Sequence, residues 1–335
     1  NLRRTICSIA DQVFTQPVKI AVSDHGSTDN TQEVLAELRG RYPFLSVVRL
    51  DRGEDHDYSH NFRSLFLLPE TDWTWLFGDD DVLCEGAIAH ILPLLERDLQ
   101  FIHVSEVTRT QNTGQLIKGK LIDLCNGIGW LDMTGFITGN IIRTEKLKQA
   151  ANLPSWDLYA KNAFVQSCSL LEVCCNDNAA FLDYPLIDVQ SRDVTEDTIS
   201  RWGQFKVGLR YHYVDEALMD MRTRGIINTL QPKFFRYLSY HLWDRFLTQI
   251  IDSYNSTEDF KLTPYLEDLI KRSLNLASFL DKREQERYRD EILSVKRGLA
   301  EHSAALQHAI KKAGDLGKLM DFHSGERYPF QFLKK

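Results

Sequence analysis

WLFGDDDVL, residues 75–83, drives an apolar, aromatic run straight into three adjacent carboxylates. Upstream, VKIAVSDHGSTDNT (18–31) passes from a β-branched run through Asp24 into turn-forming residues. Short apolar runs bounded by turn chemistry read as buried strands, so both acidic positions fall at strand ends. Working outward, Leu2, Ile6, Ile9 and Ala10 give residues 2–12 a helical spacing. A strand over 18–24 leads to a helix at about 31–40, capped by Thr28 or Asp29. FLSVVRLD (44–51) is a second strand, and the polar loop RGEDHDYS leads to a helix over 59–68. The third strand spans 72–81, GAIAHILPLLER (86–97) is an amphipathic helix, and FIHVSEVTRT (101–110) is a fourth strand. Such alternation implies βαβ crossovers and an α/β fold with a mostly parallel sheet flanked by helices. Open sheets of this kind bind ligands at the carboxyl ends of their strands, where Asp24 and Asp79 to Asp81 are expected.

Three neighbouring carboxylates repel one another, and desolvation sharpens the repulsion. A divalent cation with phosphate oxygens is one hard-ligand solution. A solvated acidic turn is another, with Asp81 or Glu85 favouring the start of the 86–97 helix. Around Asp24, Gly26 permits a tight turn, and Ser27, Thr28 and Asp29 offer donors and caps. A plain strand-to-helix turn has the same composition.

The 43% hydrophobic and 26% charged shares are those of a globular protein. No apolar run approaches the roughly 18 residues of a membrane-spanning helix, and NLRRTICSIADQ lacks the apolar core and cleavage site of a signal peptide. The six cysteines form no CxxC pair, which points to buried free thiols in a reducing cytosol rather than zinc or disulfides. The net charge of −7 is uneven: residues 261–335 carry 15 Lys/Arg against 11 Asp/Glu. An acidic chain without a basic-aromatic stripe argues against nucleic-acid binding. Beyond about residue 200 the chain reads as helices over 203–225, 231–253, 264–280, 282–299 and 301–313. The division expected is therefore a catalytic domain over 1–200 and a helical region over 201–335. That region would face an acceptor, an anionic membrane surface, or a second copy of the chain.

SDHGSTDNTQEVL resembles the D-x-S-x-D segment of family 2 glycosyltransferases, and WLFGDDDVL resembles their D-x-D strand end. The likeness covers roughly residues 1–150, and is nearest to short relatives that build bacterial O-antigen, capsule or lipid-linked chains, abequosyltransferase-like enzymes included. It implies a GT-A, Rossmann-like domain that takes a nucleotide-sugar donor and Mg²⁺ or Mn²⁺. By the same resemblance Asp24 would hydrogen-bond the nucleobase edge, and Asp79 would lie near the ribose or diphosphate. Asp81, with Asp79, would ligate the metal, and Asp80 would support it. His60, Asn61 and Arg63 in HDYSHNFRSLF are candidates for the diphosphate or base pocket. Relatives also begin with a strand carrying a T-x-N-R-like nucleotide contact. This sequence opens on the helix that would follow, so that strand is expected either to be absent from the sheet or to lie outside this sequence.

An inverting transfer needs a base for the acceptor hydroxyl. The resemblance places GWLDMTGFITGNIIRTEKL (129–147) on the acceptor side and the base beyond it. There Gly135 and Gly139 would allow close approach to a ligand, or mark a bulged strand. Asp157 in LPSWDLYAKNAF is the base expected, or else the cap of a helix over 158–173; Asp132, Glu172 and Asp188 are the reserves. In VQSRD, Arg192 or Gln190 would reach a phosphate. The acceptor implied is a glycan or lipid-linked chain, met in the cytoplasm or at the inner membrane face. Competing functions are a sugar nucleotidyltransferase, whose Gly-rich phosphate loop is not seen, and a non-catalytic scaffold on a degenerate transferase domain.

Overall fold

The computed structural model describes residues 1–13, 18–50, 58–107, 113–162, 164–189, 213–235, 271–272, 274–287 and 289–290. In chain order the first elements are α1 (Leu2–Ala10), β1 (Ile20–Asp24), α2 (Thr31–Arg41), β2 (Leu45–Arg49) and α3 (Tyr58–Leu67). Then come β3 (Trp73–Trp75), β4 (Val82–Leu83), α4 (Ala87–Leu95), β5 (Phe101–Glu106) and β6 (Leu116–Lys120). They are followed by α5 (Leu121–Gly127), α6 (Trp130–Thr134), β7 (Asn140–Arg143), α7 (Thr144–Ala151), α8 (Trp156–Tyr159), α9 (Val165–Cys174), β8 (Asn178–Asp188) and α10 (Val214–Thr223).

The α/β class stands, with two groups of strands. β1 and β2 pair in parallel, setting Asp24 opposite Arg49. The larger sheet runs β3-β7-β5-β8-β4, with β6 also on β8. Its two longest strands, β5 and β8, are parallel, and β3 runs the same way because both β3 and β5 oppose β7. The short strands β4 and β6 run against β8.

Helices cover both faces because the buried strands are apolar on both. On β5, Phe101 joins one core cluster, with α5 to α10, while Ile102 and Val104 join the other, with α4. On β7, Ile142 and Ile141 divide the same way, as side chains alternating across a pleat must. The larger cluster includes Ile227, Phe234, Phe235, Leu276 and Phe279, and the Phe234 ring stacks on Trp130 at 5.6 Å. The described parts of the C-terminal region thus share one core with the sheet. The expected boundary near residue 200, and most of the helices predicted beyond it, lie outside the described residues. Residues 232–235, predicted to open a helix, form a 3₁₀ turn.

Helix α1 touches both α2 and the turn that follows β3. Ile6 and Ala10 pack on Leu35 and Leu38 of α2. From α1 the Thr5 hydroxyl lies 2.7 Å from the Asp81 carbonyl and 3.0 Å from that of Asp79. One turn on, Ser8 Oγ accepts the Leu83 N–H at 3.0 Å.

Two predicted elements are interrupted by single hydrogen bonds to side chains. The third strand stops at Trp75 instead of running to 81, because the Gly78 N–H donates to Thr138 Oγ1 at 3.0 Å rather than to a neighbouring strand. The predicted 158–173 helix is two helices, separated where Asn162 Oδ1 accepts the Phe164 N–H at 2.7 Å. All six cysteines are free thiols, four of them buried; burial pushes the Cys168 thiol up to about 12.

Candidate active site

Asp79 to Asp81 form the turn between β3 and β4, and their environments differ. Asp79 is exposed, Asp80 half-buried and Asp81 only 5% exposed. Thr138, in the 3₁₀ turn Ile137–Gly139, donates its hydroxyl to Asp81 Oδ2. The Trp75 indole N–H fixes that turn by donating to the Thr138 carbonyl at 2.7 Å. A Cβ on Gly78 would meet Asp81 Oδ2 and Thr138 Oγ1 at 3.1 Å and Asp80 Oδ1 at 3.2 Å. Three oxygens therefore converge on the space that a side chain would fill at Gly78. Asp81 does not cap α4: that helix starts behind Gly86, which takes a left-handed φ of 77°, and its first turn has no acidic residue.

Asp24 is buried at the carboxyl end of β1. Its Oδ1 accepts the Ser27 N–H at 3.0 Å and its Oδ2 accepts from the Gln32 amide. Arg49 Nε lies 3.9 Å from Oδ2. Burial pushes this carboxyl up, but the hydrogen bonds from Ser27 and Gln32 and the Arg49 charge outweigh it and hold it below the usual carboxylate range. Gly26 makes the predicted tight turn at φ 65°; the N-cap of α2 is Asn30 rather than Thr28 or Asp29, and Asp29, one position earlier, accepts the Thr31 N–H at 3.0 Å.

The other predicted donor residues lie on α3, which bridges this corner to α8. Asn61 Oδ1 accepts from Ser23 Oγ, beside Asp24, at 2.9 Å. The Arg63 guanidinium lies 5.8 Å from the centre of the Trp156 ring, and Phe66 meets that ring edge-on. His60 is half-buried on the same helix. Asp157 follows Trp156 and is exposed in the first turn of α8, with Ser155 at the N-cap. Arg192 and Gln190 lie outside the described residues.

Acidic residues also close β5 and β8: Glu106 is buried, and Asp188 stands opposite Val82 in the register. Of the three reserves for the base, Glu172 is taken up by Arg224, which contacts both its carboxylate oxygens. Gly139 approaches protein rather than a ligand, since a Cβ there would lie 2.4 Å from His103 Cε1. At Gly135 a Cβ would likewise meet protein, 2.7 Å from the Leu131 carbonyl of the preceding helix. Sequence reasoning missed Thr5, Gly78 and Thr138; the one local signal for Thr138 was its place in a segment already picked out between Gly135 and Gly139. A surface cavity of about 550 Å³ lies elsewhere, between Arg97, Lys118, Lys120 and Asp123 near the amino ends of β5 and β8.

This arrangement, a helix-flanked sheet with acidic residues at the carboxyl ends of its strands, is the GT-A architecture. Solved structures carry the same fold. S. aureus TarS 1–349 superposes with a TM-score of 0.56 at 12% identity, over 91% of this chain and 87% of that one. The same protein in complex with UDP gives 0.53 at 11%, with the same coverage. Residues 1–167 match the family described as Glycosyl transferase family 2. Among curated proteins, abequosyltransferase RfbV of Salmonella typhimurium (strain LT2) is 31% identical over 86 residues. That match spans 25% of this chain and 25% of the relative. Among the described residues, no helix is long and apolar enough to cross a membrane.

Proposed function

We propose that this chain transfers a sugar from a nucleoside-diphosphate donor to a glycan or lipid-linked acceptor, inverting the anomeric centre with the help of a divalent cation. The observation that carries the reading is the convergence of Asp80 Oδ1, Asp81 Oδ2 and Thr138 Oγ1 at Gly78. Hard oxygen donors suit Mg²⁺ or Mn²⁺. Among the described residues no three His, Cys, Asp or Glu side chains form a ready-made metal cage. An ion held by one or two carboxylates and completed by substrate phosphate is the usual arrangement for Mg²⁺, so the residues present fit. Asp81, with Asp80 beside it, would hold it at that point, and Asp79, exposed in the same turn, is proposed as the further ligand. When bound, a divalent ion supplies positive charge against the charge developing on a leaving diphosphate.

The chain's own groups do the rest. Asp24 stays ionised and keeps lone pairs for the N–H edge of a base, while Ser27 and Gln32 fix its rotamer. Arg63 on α3 offers a cation for the diphosphate. Asp157, exposed on α8, takes the proton of the acceptor hydroxyl as that oxygen attacks the anomeric carbon. The UDP complex of the TarS fold relative supports a nucleotide-linked donor, and the abequosyltransferase relative supports sugar transfer. The basic segment over 261–335, most of it outside the described residues, is proposed to meet an anionic membrane surface where a lipid-linked acceptor would lie. The test is a hydrolysis screen of UDP-, CDP- and GDP-linked sugars with Mn²⁺, reading released nucleoside diphosphate. Release from at least one donor, abolished by chelator, is expected. No release from any of them by the folded chain would favour a non-catalytic scaffold.

A further inference from the structure

Helix α8 has four residues, far below the roughly 12–15 at which isolated helices hold themselves together. Its orientation must come from outside. The structure supplies a clamp on the Glu172 carboxylate of α9. Ser155 Oγ donates to Glu172 Oε2 at 2.8 Å, and the Tyr159 hydroxyl donates to the same oxygen. Arg224 grips both oxygens, with Nη1 on Oε1 at 2.5 Å and Nη2 on Oε2 at 2.7 Å. Nη2 also donates to the Tyr159 hydroxyl at 2.8 Å, and Asp220 accepts from Arg224 Nε at 2.9 Å. The Glu172 side chain is only 8% exposed.

Ser155 and Tyr159 stand one helical turn apart, on the same face of the turn. Asp157, midway between them, points to the opposite face and is exposed. One carboxylate thus pins α8 at both ends along one side, leaving Asp157 on the other. Arg224 lies beyond residue 167, where the family match ends, just past α10 and before Gly225 at φ 72°.

We propose that Glu172 and Arg224 are positioning residues for Asp157: the bidentate pair, acting through Ser155 and Tyr159, holds α8 so that Asp157 faces the acceptor. This rests on the reading of Asp157 as the base. It assigns a task in the transfer reaction to a residue in the C-terminal half.

The test uses the full chain and whichever sugar nucleotide the hydrolysis screen turns over. It compares Arg224→Gln, Arg224→Lys, Glu172→Gln, Asp157→Asn and the double variant Asp157→Asn/Arg224→Gln. Angstrom-scale misplacement of a catalytic group costs about 100-fold. Arg224→Gln is therefore expected to lower kcat about 10- to 100-fold, with KM and UDP, CDP or GDP affinity within about twofold of the parent. Arg224→Lys keeps the charge but not the two-pronged fork and falls between. With Asp157 already replaced, Arg224→Gln should slow turnover by less than about twofold more. Amide hydrogen exchange at residues 156–160, which needs no donor, should rise in Arg224→Gln. Unchanged exchange, an unchanged kcat beside a lower Tm, or the same loss of rate with and without Asp157 would each overturn the proposal. Full activity of Asp157→Asn alone would instead remove the base reading on which it stands. If Arg224→Gln does not fold, Arg224→Lys and Glu172→Gln carry the same comparisons.

Discussion

Asp157→Asn is expected to slow sugar-nucleotide turnover by about 100- to 10,000-fold, the usual contribution of a positioned general base. Asparagine matches the carboxylate in size but cannot take a proton at neutral pH. The fold should tolerate it, because Asp157 is exposed and its neighbours Trp156 and Tyr159 supply the buried contacts of α8. Initial rates should therefore collapse while the urea midpoint moves little. A variant within threefold of the parent rate would show that another group accepts the proton. Asp188, at the end of β8 opposite Val82, would be the next to replace.

Gly139→Ala is expected to destabilise the protein by about 1–3 kcal/mol, the typical cost of overpacking a core, and to disturb the Asp79–Asp81 turn as well. The new methyl would lie 2.4 Å from Cε1 and 2.9 Å from both ring nitrogens of His103. That ring has little room to retreat. It stacks on Phe181 at 5.9 Å and is tied through Nδ1 to Asn140 Oδ1 at 2.9 Å. Asn140 in turn donates to the Thr134 carbonyl at 3.0 Å. The alternative is for the 137–139 turn to move, taking Thr138 away from Asp81 and Gly78. Urea denaturation reads the loss. Combining Gly139→Ala with His103→Ala should recover part of it, because the second change removes the obstructing ring. Equal stability of Gly139→Ala and parent would contradict this packing.

Much of the first hundred residues was legible because its signals are local. The β-branched run before Asp24, the turn at Gly26 and the amphipathic spacing of α4 each depend on residues a few positions apart. What escaped depends on partners far along the chain. The third strand looked longer than it is because the group that takes the Gly78 N–H, Thr138, lies 60 positions away. Gly139 looked like a ligand contact because nothing near it in sequence announces the His103 ring. The break between α8 and α9 is set by one Asn162 side chain folded back on the backbone, which composition does not reveal. In the candidate site, the acidic strand ends were readable as such, since carboxylates after apolar runs stand out. The hydroxyls that hold them, Thr5 and Thr138, look like any other threonines until the chain is folded.

The Asp79–Asp81 turn is proposed to hold a divalent ion shared with a donor diphosphate. Calorimetry of UDP, CDP and GDP binding with Mn²⁺, for the parent and Asp81→Asn, addresses it most directly. Removing a ligating carboxylate should weaken binding of the preferred nucleotide at least tenfold, which is about 1.4 kcal/mol, and chelator should weaken the parent to a similar level. Equal affinities for parent and Asp81→Asn, or parent binding unaffected by chelator, would contradict the account.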